Sequence, residues 1–453
     1  MADDGRGAAG VASRARSAAA RDGALLVALK LGVSAVVLRM GFSHVSDDDY
    51  ARVVIAETFA HAPRLDPSGT SWLPFPFWVN GAAMLVFGRS LETARAVAVA
   101  LGAISVVAPY AALRVVGVTR VAAIAAVVIA MTAPWNAWLG AAMVPEAPTA
   151  ALVAAGAIAI GCERARVWGA AGIAVAALSR YEAWPVCAVM ATACLWSAAR
   201  TWRAKKRIAR GDFVAAVVAV AAPLAWMAWN AHAHGDALHF VARVAAFRQR
   251  IGAASVPISE KLLDYPRALY EAAAGMTPLA IVGIAALGDA EMRKRWRAPA
   301  IAAAAMIAFL IYGDVRDGAP THHPERAIAA MFWWIAGFGA DGARSIAVRW
   351  AWRRPKREMF VVGGVAAFVV AWSASVGGAW REHPARGEEE RRDAQIARGR
   401  ELRARGATGL TVTPCAYEHF ALIAAFGAPE SASTPGRGER RSVMAACPRL
   451  EVR

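Results

Sequence analysis

The feature that most constrains this chain is a series of long apolar runs that short charged segments separate. A membrane-spanning helix needs roughly 20 predominantly apolar residues. Helix is the only option, because a backbone in lipid must satisfy its own hydrogen bonds and no alternating barrel pattern occurs. The sequence therefore predicts an all-α polytopic membrane protein with about eleven transmembrane helices. These predicted spans lie near 24–42, 92–113, 121–140, 146–162, 167–179, 183–199, 213–230, 276–289, 298–312, 326–343 and 358–380.

The distribution of charge predicts the orientation. The 453 residues carry a formal net charge of +17, which could suggest nucleic-acid binding, but the basic residues lie between the apolar runs. Segments 200–210 and 344–357 each hold six Lys or Arg residues. Because positively charged loops stay in the cytoplasm, we expect the tail 1–23 to lie inside and the C-terminus outside. The expected location is the cell (inner) membrane, with the bilayer and no nucleic acid as a partner.

The chain divides into a transmembrane domain over 24–380, with outer loops at 43–75 and 231–275, and an extracytoplasmic appendage over 381–453. Within the appendage a charged helix, a short strand and an amphipathic helix are predicted, which makes it a small αβ unit too short for an independent enzyme core. The 231–275 loop is basic and amphipathic, typical of a helix on anionic headgroups or of a loop that orders over an anionic donor. Cys415 and Cys447 lie in the appendage, and the sequence leaves open whether they pair.

Three adjacent carboxylates, Asp47, Asp48 and Asp49, follow directly after the first apolar run. Beyond them, Tyr50–Ala62 has apolar residues at helical spacing, which predicts a helix along the membrane surface. A solvated loop or a helix N-cap would account for the triplet. However, carboxylates at a membrane interface are costly and are usually functional. Crowding also raises the pKa of one carboxyl in such a group, which suits a general base.

This arrangement resembles the GT-C glycosyltransferases, a superfamily that includes the protein O-mannosyltransferases and the aminoarabinose transferases. Their motif is an acidic pair at the outer end of the first span with Tyr shortly after, which Asp47-Asp48-Asp49-Tyr50 fits. The resemblance to the bacterial branch covers residues 30–200 best and continues through Trp72, Pro74, Pro76, Trp78, Gly88, Glu92 and Arg95. It implies a GT-C-like fold and inverting transfer of a sugar from a polyprenyl-phosphate-linked donor to a lipid, glycan or protein acceptor. Asp47 or Asp48 would then be the catalytic base.

Further outer residues fit the same resemblance. Glu146 follows Pro145, where family members place a second acidic residue, although a helix dipole equally favours Glu there. Arg180 lies in a short hairpin beside Glu182, either as an internal ion pair or as a ligand of the donor phosphate. Arg326 is the stronger candidate for binding that phosphate, because its planar fork forms two parallel bonds to phosphate oxygens.

Metal binding and transport are the remaining hypotheses. Asp49, Glu146 and Tyr50 are candidates to support the acceptor or a metal site. The pair His322-His323 does not by itself form a metal site, and HExxH is absent, so no cofactor is assigned and a divalent cation stays a candidate. A transporter or flippase of a lipid-linked or envelope substrate is the alternative function, although no internal repeat is evident.

Overall fold

Helices form most of the described chain, as the requirement for internal backbone hydrogen bonds in lipid predicts. The structure is a computed structural model and describes residues 4–69, 71–207, 209–250, 257–316, 323–351, 357–412, 419–433 and 450–452. Its α-helices are α1 (Asp4–Arg39), α2 (Asp48–His61), α3 (Phe75–Phe87), α4 (Leu91–Ser105), α5 (Val107–Val115), α6 (Arg120–Thr132), α7 (Pro134–Leu139), α8 (Glu146–Ala159), α9 (Arg166–Ala177), α10 (Trp184–Lys205), α11 (Arg210–His234), α12 (His239–Arg250), α13 (Ile258–Ala272), α14 (Thr277–Ala285), α15 (Ala290–Val315), α16 (Ala329–Ala351), α17 (Arg357–Ala379), α18 (Glu389–Ala404) and α19 (His419–Phe426).

Among the residues that the structure describes, three helical stretches are long and apolar enough to cross a membrane on their own: Leu91–Val115, Arg210–His234 and Ala290–Val315. Shorter apolar helices occupy Phe75–Phe87, Arg120–Thr132, Glu146–Ala159 and Ala367–Ala379. Each of the eleven predicted spans coincides with helix. The prediction of a polytopic helical membrane protein is therefore confirmed, whereas the number eleven stays a prediction, because several helices are shorter than a full crossing.

A proline breaks one of the predicted spans. The span predicted at 121–140 divides into α6 and α7 at Ala133, whose ψ of 135° is extended, because the residue before Pro134 is disfavoured in the helical region. Lys30 of α1 is buried at this break and donates to the carbonyls of Asn136, over 2.7 Å, and Met131, over 3.3 Å. Lys30 thus donates to the carbonyl of Met131 near the end of α6, where helix carbonyls lack an intrahelical partner, and shares the carbonyl of Asn136 with the backbone N–H of Gly140.

The predicted outer loop at 231–275 is largely helical. It contains α12 and α13. Helix α13 is followed by the helical stretch Ala274–Gly288 after a bend of 65°. Together these two stretches are long enough for a broken span or a re-entrant loop. Pro278 lies in the first turn of α14. Because proline has no N–H to donate and its ring clashes with the carbonyl four residues earlier, α13 does not continue unbroken into α14. The amphipathic helix expected in this segment is therefore present at 258–272, where it packs against α15, and the outer placement of 231–275 stays a prediction.

Small residues let the central helix α16 approach its neighbours. It packs against α6, α8 and α14. A Cβ atom at Gly342 would lie 2.8 Å from the Cα atom of Gly283 on α14, and one at Gly339 would meet the backbone of Leu279. Because lipid tails provide no hydrophobic driving force between spans, such close backbone contact is the typical basis of packing in membranes.

The C-terminal appendage has the predicted order of a charged helix, a strand and a second helix. After α18 come β1 (Leu410–Val412), α19, β2 (Ala432–Ser433) and β3 (Leu450–Val452). The strands form one sheet in the order β2-β1-β3, with β1 parallel to β2 and antiparallel to β3. Cys415 and Cys447 lie outside the described residues, and the domain limits at 23 and 380 stay predictions.

The appendage covers α2. Ala421 and Ala424 of α19 share an apolar cluster with Tyr50, Val53 and Ala56 of α2. The predicted surface helix is therefore real but is more buried than a helix lying free on headgroups, because protein rather than lipid or water packs on this face.

Candidate functional site

The three aspartates at the start of α2 point to three different partners, as a rotation of about 100° per helical residue requires. Asp47 receives two bonds from Arg392 of α18, over 2.8 and 3.0 Å. Asp48 receives one from Arg326, over 3.1 Å. Asp49 points inward and is fully buried. One short motif thus joins the appendage, the turn before α16 and the interior.

Asp49 ties the loop to the rest of the fold. Its Oδ1 atom accepts from the backbone N–H of Met143 over 2.8 Å, and its Oδ2 atom accepts from those of Val45 and Ser46 over 3.1 and 3.4 Å. Burial raises the pKa of Asp49, while Arg95, Arg326 and these amides oppose the rise. A raised pKa suits a base, but a base must also lie within hydrogen-bond reach of the proton that it takes. Because both oxygens of Asp49 accept from backbone amides, its contacts indicate a structural role.

Asp48 is the carboxylate of the triplet with the most accessible side chain. Its side chain is 43% exposed, against 21% for Asp47. Arg326, which faces Asp48, is buried and also donates to the Oγ atom of Ser46 over 3.2 Å. The accessible carboxylate is therefore held at one side by a buried guanidinium and is open at the other.

Glu146 binds the two arginines that the sequence analysis selected as phosphate ligands. Its Oε1 atom accepts from Nε and Nη2 of Arg326, over 2.9 and 2.6 Å, and from Nη1 of Arg180, over 2.7 Å. Arg180 also donates to Glu182 over 2.7 Å, so the predicted hairpin ion pair exists alongside the longer-range one. Glu146 is buried at the first residue of α8, where the helix dipole favours a carboxylate.

Four separate elements contribute these groups. Asp48 begins α2, Glu146 begins α8, Arg180 lies in the break between α9 and α10, and Arg326 lies in the short turn before α16. Sequence reasoning found each residue alone, and the structure brings them into one connected cluster, Asp48–Arg326–Glu146–Arg180. A buried carboxylate between two arginines keeps both guanidinium groups in fixed positions.

Arg52 is a member of this region that sequence reasoning missed as a site residue. Its guanidinium lies 4.4 Å from the ring centroid of Trp72 and 5.8 Å from that of Phe77. It is buried, and its Nε and Nη1 atoms have no hydrogen-bond partner among the described residues. The spacing offered a signal, because Asp48 and Arg52 are four residues apart and share one face of α2.

Tyr50 lies in the core rather than at the accessible face. It is 1% exposed, and its hydroxyl is 3.4 Å from the Nδ1 atom of His44, which also lies 2.7 Å from the Oγ atom of Ser43. The predicted role of Tyr50 in supporting an acceptor or metal has no contact here to support it. Within the part of the chain that the structure describes, no three His, Cys, Asp or Glu side chains form a group able to hold a metal ion. A divalent cation therefore stays a sequence-level prediction.

His44 is expected to make the stability of the folded protein fall in acid. Burial, with Arg392 and Arg95 nearby, lowers its pKa from 6.5 to about 3. The carboxylate of Glu388 lies 3.9 Å from Nε2 and favours the charged ring, but it is partly exposed and is bound to Arg392, so the lowering dominates. Between pH 6.5 and 3 the unfolded chain binds a proton that the folded chain does not. Stability is present above pH 6.5 and is lost as the pH falls through this window.

The measurement is the unfolding temperature in detergent between pH 7 and pH 3.5. His44→Asn should flatten the acid-side slope, whatever its effect on stability at pH 7. His61→Asn is the comparison variant, because His61 is half-exposed beside Glu430 whereas His44 is buried, and the slope should change more in His44→Asn than in His61→Asn. An unchanged slope in His44→Asn would contradict the assignment.

The fold and the cluster together define a class of architecture: a multi-pass helical membrane domain with an acidic loop after its first helix, facing arginines from later loops. The fold is that of ArnT from Cupriavidus metallidurans, whose crystal structure was solved bound to undecaprenyl phosphate. The superposition has a TM-score of 0.61 and covers 91% of this chain and 89% of ArnT, at 15% sequence identity. The predicted GT-C-like fold is therefore confirmed. No protein-family model and no curated protein sequence matches the chain.

Proposed function

We propose that this protein transfers a sugar from a polyprenyl-phosphate-linked donor to an acceptor at the outer face of the cell membrane. The observation that carries the proposal is the cluster Asp48–Arg326–Glu146–Arg180, in which an accessible carboxylate stands next to fixed cationic groups. The GT-C fold supports the same reaction class, and the undecaprenyl phosphate bound to ArnT supports the polyprenyl carrier. The loop at 43–75 lies outside in the proposed orientation.

The chemistry requires a base and an anion site. We assign the base to Asp48 rather than Asp47, because the side chain of Asp47 is held by Arg392 and is less exposed. Asp48 would take the proton of the acceptor hydroxyl while the acceptor oxygen attacks C1 of the sugar. The bond from C1 to the carrier phosphate oxygen breaks on the opposite side, which inverts the anomeric centre and releases the polyprenyl phosphate or diphosphate.

Arg52 is the best candidate for a direct ligand of the departing phosphate. Arg326 and Arg180 already donate to Glu146, whereas Arg52 has buried donors with no partner among the residues described. A buried donor without a hydrogen-bond acceptor costs free energy, and a phosphate oxygen would accept these hydrogen bonds. Arg326 and Arg180 then supply fixed positive charge near the developing anion, which is the electrostatic contribution that a phosphate leaving group needs.

Replacing Arg52 is expected to weaken the binding of undecaprenyl phosphate. Arg52→Met removes the charge and donors but keeps a side chain that can pack on Trp72, and the loss should be about 10- to 100-fold, as for hydrogen bonds to a charged group. Arg52→Lys should retain part of the affinity, because it keeps the charge and loses the fork. Native mass spectrometry or microscale thermophoresis would measure the dissociation constants.

The control for this test is Arg89→Met. Arg89 pairs with Glu430 near the surface, over 2.7 Å, and should bind the lipid as the wild type does. Equal affinities in Arg52→Met and the wild type would remove Arg52 from the phosphate site.

The proposal as a whole is tested by incubating purified protein with polyprenyl-phosphate-linked sugars and candidate acceptors. Transfer is expected to release one polyprenyl phosphate for each glycosidic bond formed, measured by mass spectrometry of the lipid extract. Movement of an intact lipid-linked sugar across the bilayer, with no cleavage of the bond to C1, would support the transporter or flippase alternative. Against that alternative, Lys30 is occupied in holding the α6–α7 break.

A further inference from the structure

The appendage reaches the aspartate triplet through Arg392. This arginine is 3% exposed and binds both oxygens of Asp47, with Nε to Oδ1 over 2.8 Å and Nη2 to Oδ2 over 3.0 Å. Two parallel bonds fix the plane of a carboxylate as well as its distance. Glu388, one turn earlier on the appendage, accepts from Nη2 of Arg392 over 3.1 Å and holds the guanidinium in place.

Asp47 stands where a helix commonly receives a side-chain cap. It is the residue before α2, yet its side chain makes no cap hydrogen bond, and its backbone is already helical at φ −59° and ψ −17°. Aspartate is among the preferred capping residues. The carboxylate is instead directed away from the amides of α2 and toward Arg392.

The two neighbours of Asp48 in the sequence, Asp47 and Asp49, are thus bound to different parts of the protein. Asp47 is bound to the appendage, and Asp49 is bound to the amides of Val45, Ser46 and Met143. Asp48 lies between them with the most accessible side chain and contacts Arg326. If α2 began one residue earlier or later, the side chain of Asp48 would rotate by about 100° around the helix axis. The contacts of Asp47 and Asp49 oppose such a shift and so fix the direction of Asp48.

We propose that Arg392 is a positioning residue, which holds Asp47 and thereby directs Asp48 toward Arg326 and the accessible face. Its effect on turnover rests on the proposed function, whereas its effect on the order of the loop does not. Two independent measurements therefore test it.

The first measurement is hydrogen–deuterium exchange of the peptides that cover 43–52. Arg392→Met should make the amides of Val45, Ser46 and Ala51 exchange about tenfold faster, because the start of α2 opens more often. The matched control is Arg400→Met on the same helix, since Arg400 pairs with Glu92 of α4 and not with the triplet. This control should leave the exchange of 43–52 unchanged.

The second measurement is steady-state kinetics. Arg392→Met should lower kcat about 10- to 100-fold, the cost of a base displaced by about 1 Å. The KM for the lipid donor should change less than about twofold, because Arg392 binds Asp47 and Glu388 and is not part of the proposed phosphate site. Arg392→Lys should recover part of kcat. The double variant Asp47→Asn/Arg392→Met should be no worse than either single variant, because both remove the same contact.

Unchanged exchange of 43–52 in Arg392→Met would overturn the proposal, and so would an unchanged kcat in an active enzyme. The same losses in Arg400→Met, or additive losses in the double variant, would also overturn it. If Arg392→Met does not fold, Arg392→Lys decides by the same measures, because it keeps the charge and loses the fork. If the wild type transfers no sugar from any donor, the proposed function fails, and the exchange experiment still decides whether Arg392 orders the loop.

Discussion

Asp48→Asn is expected to lower sugar transfer by about 10²- to 10⁴-fold, the usual contribution of a general base. The substitution keeps the shape of the side chain and its contact with Arg326, so the binding of undecaprenyl phosphate should change little. The measurement is the initial rate of polyprenyl phosphate release, with the unfolding temperature recorded in parallel.

Two further variants locate the base within the triplet. Asp47→Asn should resemble Arg392→Met, with a partial loss of kcat, because Asp47 positions the loop in our assignment. Asp393→Asn changes an exposed carboxylate on α18 and should transfer sugar as the wild type does. A fully active Asp48→Asn enzyme would reject Asp48 as the base, and near-complete inactivity of Asp47→Asn alone would transfer that role to Asp47.

Glu146→Leu should give a large loss of stability, on the order of 3–5 kcal/mol, because removing the shared member of a buried ion-pair group leaves two buried arginines that Glu182 and Asp48 compensate only in part. Here Arg326 and Arg180 would lose their shared acceptor, and their side chains are 4% and 11% exposed. Unfolding in a titration of SDS, followed by the loss of helical signal, would measure the difference.

A surface ion pair provides the comparison for Glu146. Glu92→Leu removes a carboxylate paired with Arg400, where both side chains are more than half exposed, and such pairs contribute about 0–1 kcal/mol. If Glu146→Leu destabilises the protein no more than Glu92→Leu does, the cluster is hydrated and is not a buried ion-pair group.

Local patterns were sufficient to predict most helices of this chain. Apolar runs locate the spans, and the alternation of charge and apolar residues after 381 predicts α18, β1 and α19 near their observed bounds. The amphipathic pattern of 231–275 was read as a helix on headgroups or a loop over the donor, and it did not show that α13 becomes long enough to cross only together with α14. A bend between two short helices does not change the hydropathy of the sequence. A proline such as Pro278 is the one local sign of it.

The candidate site shows where sequence reasoning stops. The sequence indicated each of the four cluster residues by its chemistry. Only the tertiary contacts show that Glu146 accepts hydrogen bonds from both Arg180 and Arg326. Arg52 carried only the spacing of four residues from Asp48 as a signal, because its burial over Trp72 depends on packing between separate segments. Arg392 was part of a charged helix, and nothing nearby in the sequence indicates a contact with Asp47.

The contact between Arg392 and Asp47 joins residues 345 positions apart, and this separation has a consequence for biosynthesis. A ribosome makes Asp47 early, and the first loop reaches its side of the membrane long before residue 392 is synthesised. In the proposed orientation, the appendage must then be exported before it can dock on α2. The carboxylate loop would therefore gain its final geometry only after the last predicted span has been inserted, so that incompletely synthesised chains would sit in the membrane with an unordered and inactive first loop.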